Sequence, residues 1–415
     1  MRFCIHRGTQ EIGGTCVEIE SQGKRLVLDI GLPLDDNIDA STMPLHPVPG
    51  FDAPDPALLG VIISHPHQDH YGLAHRLPKE TPFLIGKAAQ AILEAADLFT
   101  PAGLRLSNVT HLENRKPIAL GPFTITPFLV DHSAYDSYAL LVEADGQRLF
   151  YSGDFRTHGR KARLVEELIA NPPQDVDVLL MEGTTLGRPK AGGFPTEDDL
   201  VPDMIDLIEK TRGLTLVWAS GQNIDRLVTL YKACRKTRRQ LVIDAYTATV
   251  LQATDNPNLL QHDWTGVRVF LPRSQKFQVM KEKAFKTIDP FKPKRINDDK
   301  FPAEASQSVM LFRPSMIGDL DRMKGLEIGR LIVSVWGGYL QDGRNEKLLR
   351  WCESQGIAID SCHTSGHAHQ SDLIRLRECF TGSVAVPVHL QEVATATELF
   401  APCKPLTDGQ WFDMK

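Results

Sequence analysis

The sequence predicts an α/β protein in two units, with a metal-type site at the rim of the first. Three observations carry this. Short apolar runs of strand length repeatedly end in His, Asp or Glu. One of them runs into His65-Pro66-His67-Gln68-Asp69-His70, three imidazoles and a carboxylate in six residues. In the middle third, strands alternate with helical stretches, the pattern of a small parallel sheet.

Taken in order, Arg25 to Leu28 is apolar and ends at Asp29, ahead of Gly31. Leu58 to Ser64 leads into His65, and a helix is expected over Lys87 to Leu98. Phe123 to Val130 runs into Asp131-His132, Arg148 to Tyr151 into Ser152-Gly153-Asp154, and Val176 to Met181 into Glu182. Late in the chain, Val384 to Val388 runs into His389. A buried strand that ends this way holds the side chain at the sheet rim, so residues far apart in sequence can converge. A single case says little, because Asp commonly starts turns. Six cases on one chain point to a site.

Neutral imidazole and carboxylate are the ligands of a Zn²⁺-type centre, and three protein ligands leave a position for water. His65 and His67, two apart in an extended segment, point to one side. Asp69 and His70, at the following turn, serve a second ion.

Lys190 to Pro195 is rich in breakers and marks a boundary. Thr196 then opens a helical stretch to about Thr211, with acids in its first turn. Leu214 to Trp218 reads as a strand, Ile224 to Cys234 as a helix and Gln240 to Asp244 as another strand. Pro290 to Pro302 reads as a loop. After about Trp336 the chain is expected to return to the first unit, with substrate held between the two.

At 415 residues the chain has room for two well-filled cores. No apolar run has membrane-spanning length, and the first residues lack a signal peptide's pattern. The seven cysteines form no C-x-x-C pair, so they read as reduced thiols of a cytoplasmic protein. Cys362 reads as a packed neighbour of the site. A net charge of −6 argues against indiscriminate polyanion binding, yet basic residues cluster at Arg235 to Arg239 and again between Arg273 and Arg295. A basic wall of this kind suits a phosphate backbone.

H-x-H-x-D-H, a lone His after a strand, and then Gly-Asp resemble the metallo-β-lactamase superfamily. Glu182, His363-Thr364-Ser365-Gly366-His367 and Pro387-Val388-His389 narrow the resemblance to the β-CASP branch, and most closely to RNase J-like nucleases. Ala219 to Asn223 and Trp336 to Leu340 are similar to RNase J segments as well. The fold this implies is a four-layer αββα sandwich carrying an inserted α/β β-CASP domain. Residues 1–190 and 341–415 would form the first domain and 191–340 the insertion.

The resemblance also implies the site. His65, His67 and His132 would hold one ion and Asp69, His70 and His389 the other, with Asp154 bridging. The ions would be two Zn²⁺, with Mn²⁺ as an alternative. His367 would protonate the leaving oxygen, oriented by Glu182, while Asp29 would orient the ligand loop from behind. Ser220, His363, Ser365 and Gly366 would contact substrate phosphates. Asp131 reads as a local capping group, and His6, His46, His75, His111, His158, His262 and His369 as surface or packing residues.

The implied activity is a two-metal phosphodiesterase that cleaves single-stranded RNA to 5′-phosphate products, in 5′→3′ exonuclease mode, endonuclease mode or both. Two alternatives stand beside it: a DNA nuclease of the same branch and a catalytically silent RNA-processing subunit. DNA-cutting members typically carry Val where this chain has His389, and silent subunits have lost ligands that are all present here. The chain runs about 25 residues past His389, so the C-terminal domain of typical RNase J proteins is expected to be absent, as is an N-terminal RNA-binding extension.

Overall fold

The computed structural model describes residues 1–34, 41–188, 192–341, 343 and 345–414. Lys190 and Ala191, part of the expected boundary, lie outside them. Six strands come first: β1 (Arg2–Arg7), β2 (Cys16–Ser21), β3 (Lys24–Leu28), β4 (Leu58–Ile62), β5 (Phe83–Gly86) and β6 (Val109–Leu112). Five follow: β7 (Ile118–Leu120), β8 (Phe123–Val130), β9 (Ser137–Ala144), β10 (Gln147–Tyr151) and β11 (Val178–Glu182). The middle of the chain supplies β12 (Leu214–Trp218), β13 (Gln240–Asp244), β14 (Val267–Phe270), β15 (Ser308–Phe312), β16 (Ile328–Val333) and β17 (Ala358–Ser361). The last two are β18 (Val384–Val388) and β19 (Trp411–Asp413).

These strands make three sheets, ordered β19-β1-β2-β3-β4-β5-β6, β18-β11-β10-β9-β8-β7 and β14-β13-β15-β12-β16-β17. The chain divides into two units. One holds Met1–Leu93, Leu104–Phe194 and Gly366–Lys415; the other holds Glu94–Gly103 and Pro195–Ser365.

Strand alternation builds the first unit. Tyr138, Leu140 and Val142 of β9, with Leu149 and Tyr151 of β10, join Leu26, Leu28, Ile62 and Leu84 in one core between the first two sheets. Their sequence neighbours point the opposite way. Leu141, Phe150, Leu179 and Ala385 pack on Val165 and Leu168 of helix Ala162–Ala170 and on Leu373 and Leu376 of helix Gln370–Cys379. Val27, Val61, Ile63 and Phe83 pack on Ala89 and Leu93 of helix Lys87–Asp97. Period-2 patterning with both faces apolar thus gives helix, sheet, sheet, helix: the αββα arrangement of a metallo-β-lactamase domain.

The second unit has an all-parallel sheet. Leu214, Leu216, Leu331 and Val333 form its core with Leu348, Trp351 and Cys352 of helix Glu346–Gln355. That packing explains why the chain stays in this unit past Trp336: the helix fills its core, β17 pairs with β16, and the return comes at Gly366. The first helix of the unit spans Leu200–Glu209, starting later than Thr196. Thr196 and Asp199 instead bond reciprocally, amide to carboxylate at 2.8 Å and amide to hydroxyl at 3.1 Å, closing a turn ahead of it. Within 290–302 the expected loop contains helical turns at Asp289–Lys294 and Phe301–Glu304, each with Pro near its start, where a missing amide proton costs nothing. Among the described residues no helix is long and apolar enough to cross a membrane.

Candidate metal centre

The site lies wholly within the first unit and is set by where strands stop. β3 runs parallel to β4, and β10 is parallel to β11, which is parallel to β18, so their carboxyl ends share a direction. β8 is antiparallel to β9, and β9 to β10, which returns β8 to that same direction. Asp29, Gly153 and His389 follow their strands with φ of 60°, 54° and 57°, left-handed turns that swing the chain off the sheet at once. Gly31 is required for a different reason: a Cβ there would collide with the carbonyl oxygen of Asp69. The loops bearing Asp29 and Asp69 can therefore pack backbone to backbone, with Ile30 and Leu32 amides donating to His70 and Gln68 carbonyls at 2.8 and 2.9 Å.

Two ligand groups result. His65, His67 and His132 form one, with ring centroids 4.6–5.0 Å apart. Asp69, His70, Asp154 and His389 form the other. Within each group the ligand atoms lie within 4.8 Å of one another. Asp154 reaches both: its Oδ2 is 3.1 Å from His70 Nε2, 3.7 Å from His389 Nε2 and 3.7 Å from His65 Nε2.

The donor atoms fit divalent cations. His65 Nε2, His132 Nδ1, Asp154 Oδ1 and His389 Nε2 are buried and make no hydrogen bond within the described chain. An orphaned buried polar atom costs roughly 1–3 kcal/mol, a cost that a coordinated cation would offset. Burial also pushes His65 and His132 well below the usual histidine pKa and His67 down to about 4, leaving the neutral imidazoles that coordination needs. His70 differs. Burial opposes its charge, but Asp154 and Asp29 outweigh burial and raise it well above the usual range. A cation at Nε2 would take the place of that proton.

Side chains behind the ligands hold them in aim. Asp29, fully buried, sits 2.8 Å from His70 Nδ1 and accepts from the Ser64 amide and hydroxyl at 2.7 and 2.8 Å and from the Tyr151 hydroxyl at 2.7 Å. Thr15 Oγ1 lies 2.7 Å from His389 Nδ1. Asp131 is buried against Arg156, whose backbone amide also donates to the Asp131 carbonyl at 2.7 Å. This fastens the chain just before His132.

His367 stands beside this centre. Its Nδ1 is 3.4 Å from Glu182 Oε2 and 3.6 Å from Asp154 Oδ2. Burial disfavours its charged form, but the two carboxylates prevail and hold its pKa up at about 9. Glu182 is fixed in turn, accepting from the Phe155 and Thr184 amides at 3.0 and 3.3 Å. Gly366 lies against Ser133, where a Cβ would come within 2.5 Å of the hydroxyl.

Ser220, His363 and Ser365 belong to the second unit and Gly366 to the first. Ser220 is exposed after β12, its hydroxyl accepting from the Gln222 amide at 3.2 Å. His363 Nδ1 is 3.3 Å from the Ser334 carbonyl and 3.4 Å from Arg226. The Cys362 thiol is buried, which pushes its pKa up to about 11, and it packs on the Leu200 carbonyl. The other histidines pack or cap: His46 stacks on His6, His262 meets Phe291, and His369 caps helix Gln370–Cys379. Thr15, Ser64 and Tyr151 were not legible as site residues. Each is a common residue in or beside a strand, and only its partner across the fold gives it a role.

Residues 33–217 match the beta-lactamase superfamily domain. With the αββα layering and the ligand rim, that match makes this part of the chain similar to a metallo-β-lactamase domain. The chain is also similar to RNase J proteins. It is 27% identical over 251 residues to "Ribonuclease J" of Helicobacter pylori, covering 57% of this chain and 35% of the relative. It is 22% identical over 372 residues to "Ribonuclease J" of Sinorhizobium meliloti, covering 84% and 62%. An "RNase J-like protein" of Methanocaldococcus jannaschii is 26% identical over 224 residues, covering 49% and 48%. The matches therefore span between about a third and three-fifths of those relatives' lengths. A crystal structure of a protein of unknown function from Enterococcus faecalis V583 shares the fold, with a TM-score of 0.80 over 99% of both chains at 19% identity.

Proposed function

We propose that the chain is a two-metal phosphodiesterase that cleaves RNA, leaving 5′-phosphate products. The observation that carries this is Asp154, one carboxylate placed among both ligand groups and beside His367. His65, His67 and His132 hold one divalent cation, Asp69, His70 and His389 the second, and Asp154 faces both. Zn²⁺ suits this imidazole and carboxylate set, with Mn²⁺ an alternative. What two such cations supply when bound is charge stabilisation at phosphorus and a water acidic enough to attack at neutral pH.

The remaining chemistry belongs to the chain. The leaving 3′-oxygen needs a proton, and His367 is the group to give it. Glu182 faces Nδ1, which leaves Nε2 as the donor and keeps the ring charged until transfer. Asp29 acts through His70, fixing its tautomer. Ser220, His363, Ser365 and the Gly366 backbone bind substrate phosphates. The similarity to RNase J proteins supports single-stranded RNA, and a phosphate seat upstream of the scissile bond supports 5′→3′ removal of nucleotides.

The test uses one end-labelled RNA with a 5′-phosphate or a 5′-hydroxyl, its DNA counterpart, and metal-loaded protein. Wild type should release mononucleotides faster from the 5′-phosphate RNA; first cuts at internal positions would make it an endonuclease. His367→Ala should keep its metal and lose about 10²–10⁴ in kcat. That loss should shrink on an aryl phosphodiester whose leaving group needs no proton. A variant that instead loses an ion makes His367 a ligand, and equal digestion of DNA removes the ribonuclease reading.

A further inference from the structure

The second unit carries an exposed helix whose outer face contradicts its burial pattern. In helix Arg273–Lys281, Gln275 and Val279 are buried four residues apart. Gln275 is anchored, donating to Asp244 at 2.6 Å and accepting from the Tyr246 amide at 3.1 Å. The opposite face holds Lys276, Phe277, Met280 and Lys281, neighbours at i+3 and i+4. Phe277 is 64% exposed and Met280 57%. After the Ala284 amide closes on the Val279 carbonyl at 2.9 Å, Phe285 follows, 51% exposed and beside exposed Lys286. Between Arg273 and Lys286 there are five basic residues and one acid, in a chain of net charge −6.

We infer that this surface of the second unit binds single-stranded RNA, with Phe277 and Phe285 stacking on unpaired bases and the lysines facing phosphates. Flat rings set among cations on one face suit unpaired bases strung on a charged backbone. A membrane-surface helix separates its apolar and charged faces, and a nine-residue helix with both on one face does not. A protein partner would need carboxylates placed to pair these lysines as they are buried.

Because this surface serves the substrate proposed above, its test keeps binding apart from cleavage. The affinity of metal-loaded full-length protein for a 3′-labelled, cleavage-resistant 2′-O-methyl phosphorothioate oligouridine of 30 nucleotides is measured by anisotropy across a salt series. Phe277→Leu with Phe285→Leu keeps the apolar bulk but removes the rings. It should weaken the 30-mer about 10-fold or more. Lys276, Lys281, Lys283 and Lys286 changed together to Gln should lower the salt slope for the 30-mer by about 3. Both variants should hydrolyse bis-p-nitrophenyl phosphate at the wild-type rate. Unchanged 30-mer affinity overturns the proposal, as do altered self-association in place of altered RNA binding, and binding to anionic vesicles that the lysine variant loses. Wild type that hydrolyses no phosphodiester would sink the nuclease reading instead, a result separate from the affinity for an uncleavable 30-mer.

Discussion

The ligand rim of the first unit and the Arg226 cluster of the second bury charge in opposite ways. In the second, Arg226 and Glu197 are both buried and face each other fork to fork, each pair of atoms 3.1 Å apart. Arg226 also donates to the Ser334 hydroxyl and carbonyl at 2.6 and 2.8 Å. Asp244 pairs with Arg313 in the same unit. In the first unit, seven ligand side chains crowd together, and four of their buried atoms find no partner in the described chain. The Arg226 cluster balances its charges internally, whereas the ligand rim leaves a deficit that cations would fill. Buried polarity alone therefore marks no site; several unmet ligand atoms gathered at one rim do.

The largest expected effect tests the deficit. Asp154→Ala should lower metal content from about two ions per chain to fewer than one and reduce phosphodiesterase activity on the order of 10⁴-fold, as losing a central group of a catalytic unit does. Elemental analysis and turnover measured on one preparation check it. Full metal retention would show that Asp154 is not shared between the groups.

Next comes the saturated pair. Arg226→Met strands the Glu197 carboxylate and should destabilise the second unit by about 3–5 kcal/mol, whereas Arg226→Met with Glu197→Leu should recover most of that. Four of the five tryptophans (Trp218, Trp264, Trp336 and Trp351) lie in this unit, so tryptophan fluorescence in urea follows its unfolding. Metal content should not change in either variant. If the single variant also loses metal, the two units do not handle charge independently.

The smallest effect concerns aim. Asp29→Asn keeps the left-handed backbone, which Asn accepts, but removes the charge behind His70. Metal affinity should fall about 10–100-fold without loss of fold, measured by competition with a chelating dye.

Much of this was legible in the sequence because it is local. Strand period and apolar runs depend on near neighbours, so β8, β12 and β18 fall at the expected residues, and the His, Asp and Glu that follow their strands stand out by type. Other features needed the tertiary structure because they join residues far apart in the chain. Thr15 meets His389 across 374 positions, Tyr151 meets Asp29 across 122, and Glu197 meets Arg226 only once a helix and a strand have been folded between them. The return at Gly366 was hidden for the same reason: β17 belongs to the second unit through its pairing with β16 and not through any breaker in its sequence. Sequence determined which side chains can do chemistry here, because residue type carries donor atoms and charge. Tertiary structure decided which donors lack partners and which are satisfied, because that depends on distances between strands that only the folded chain sets.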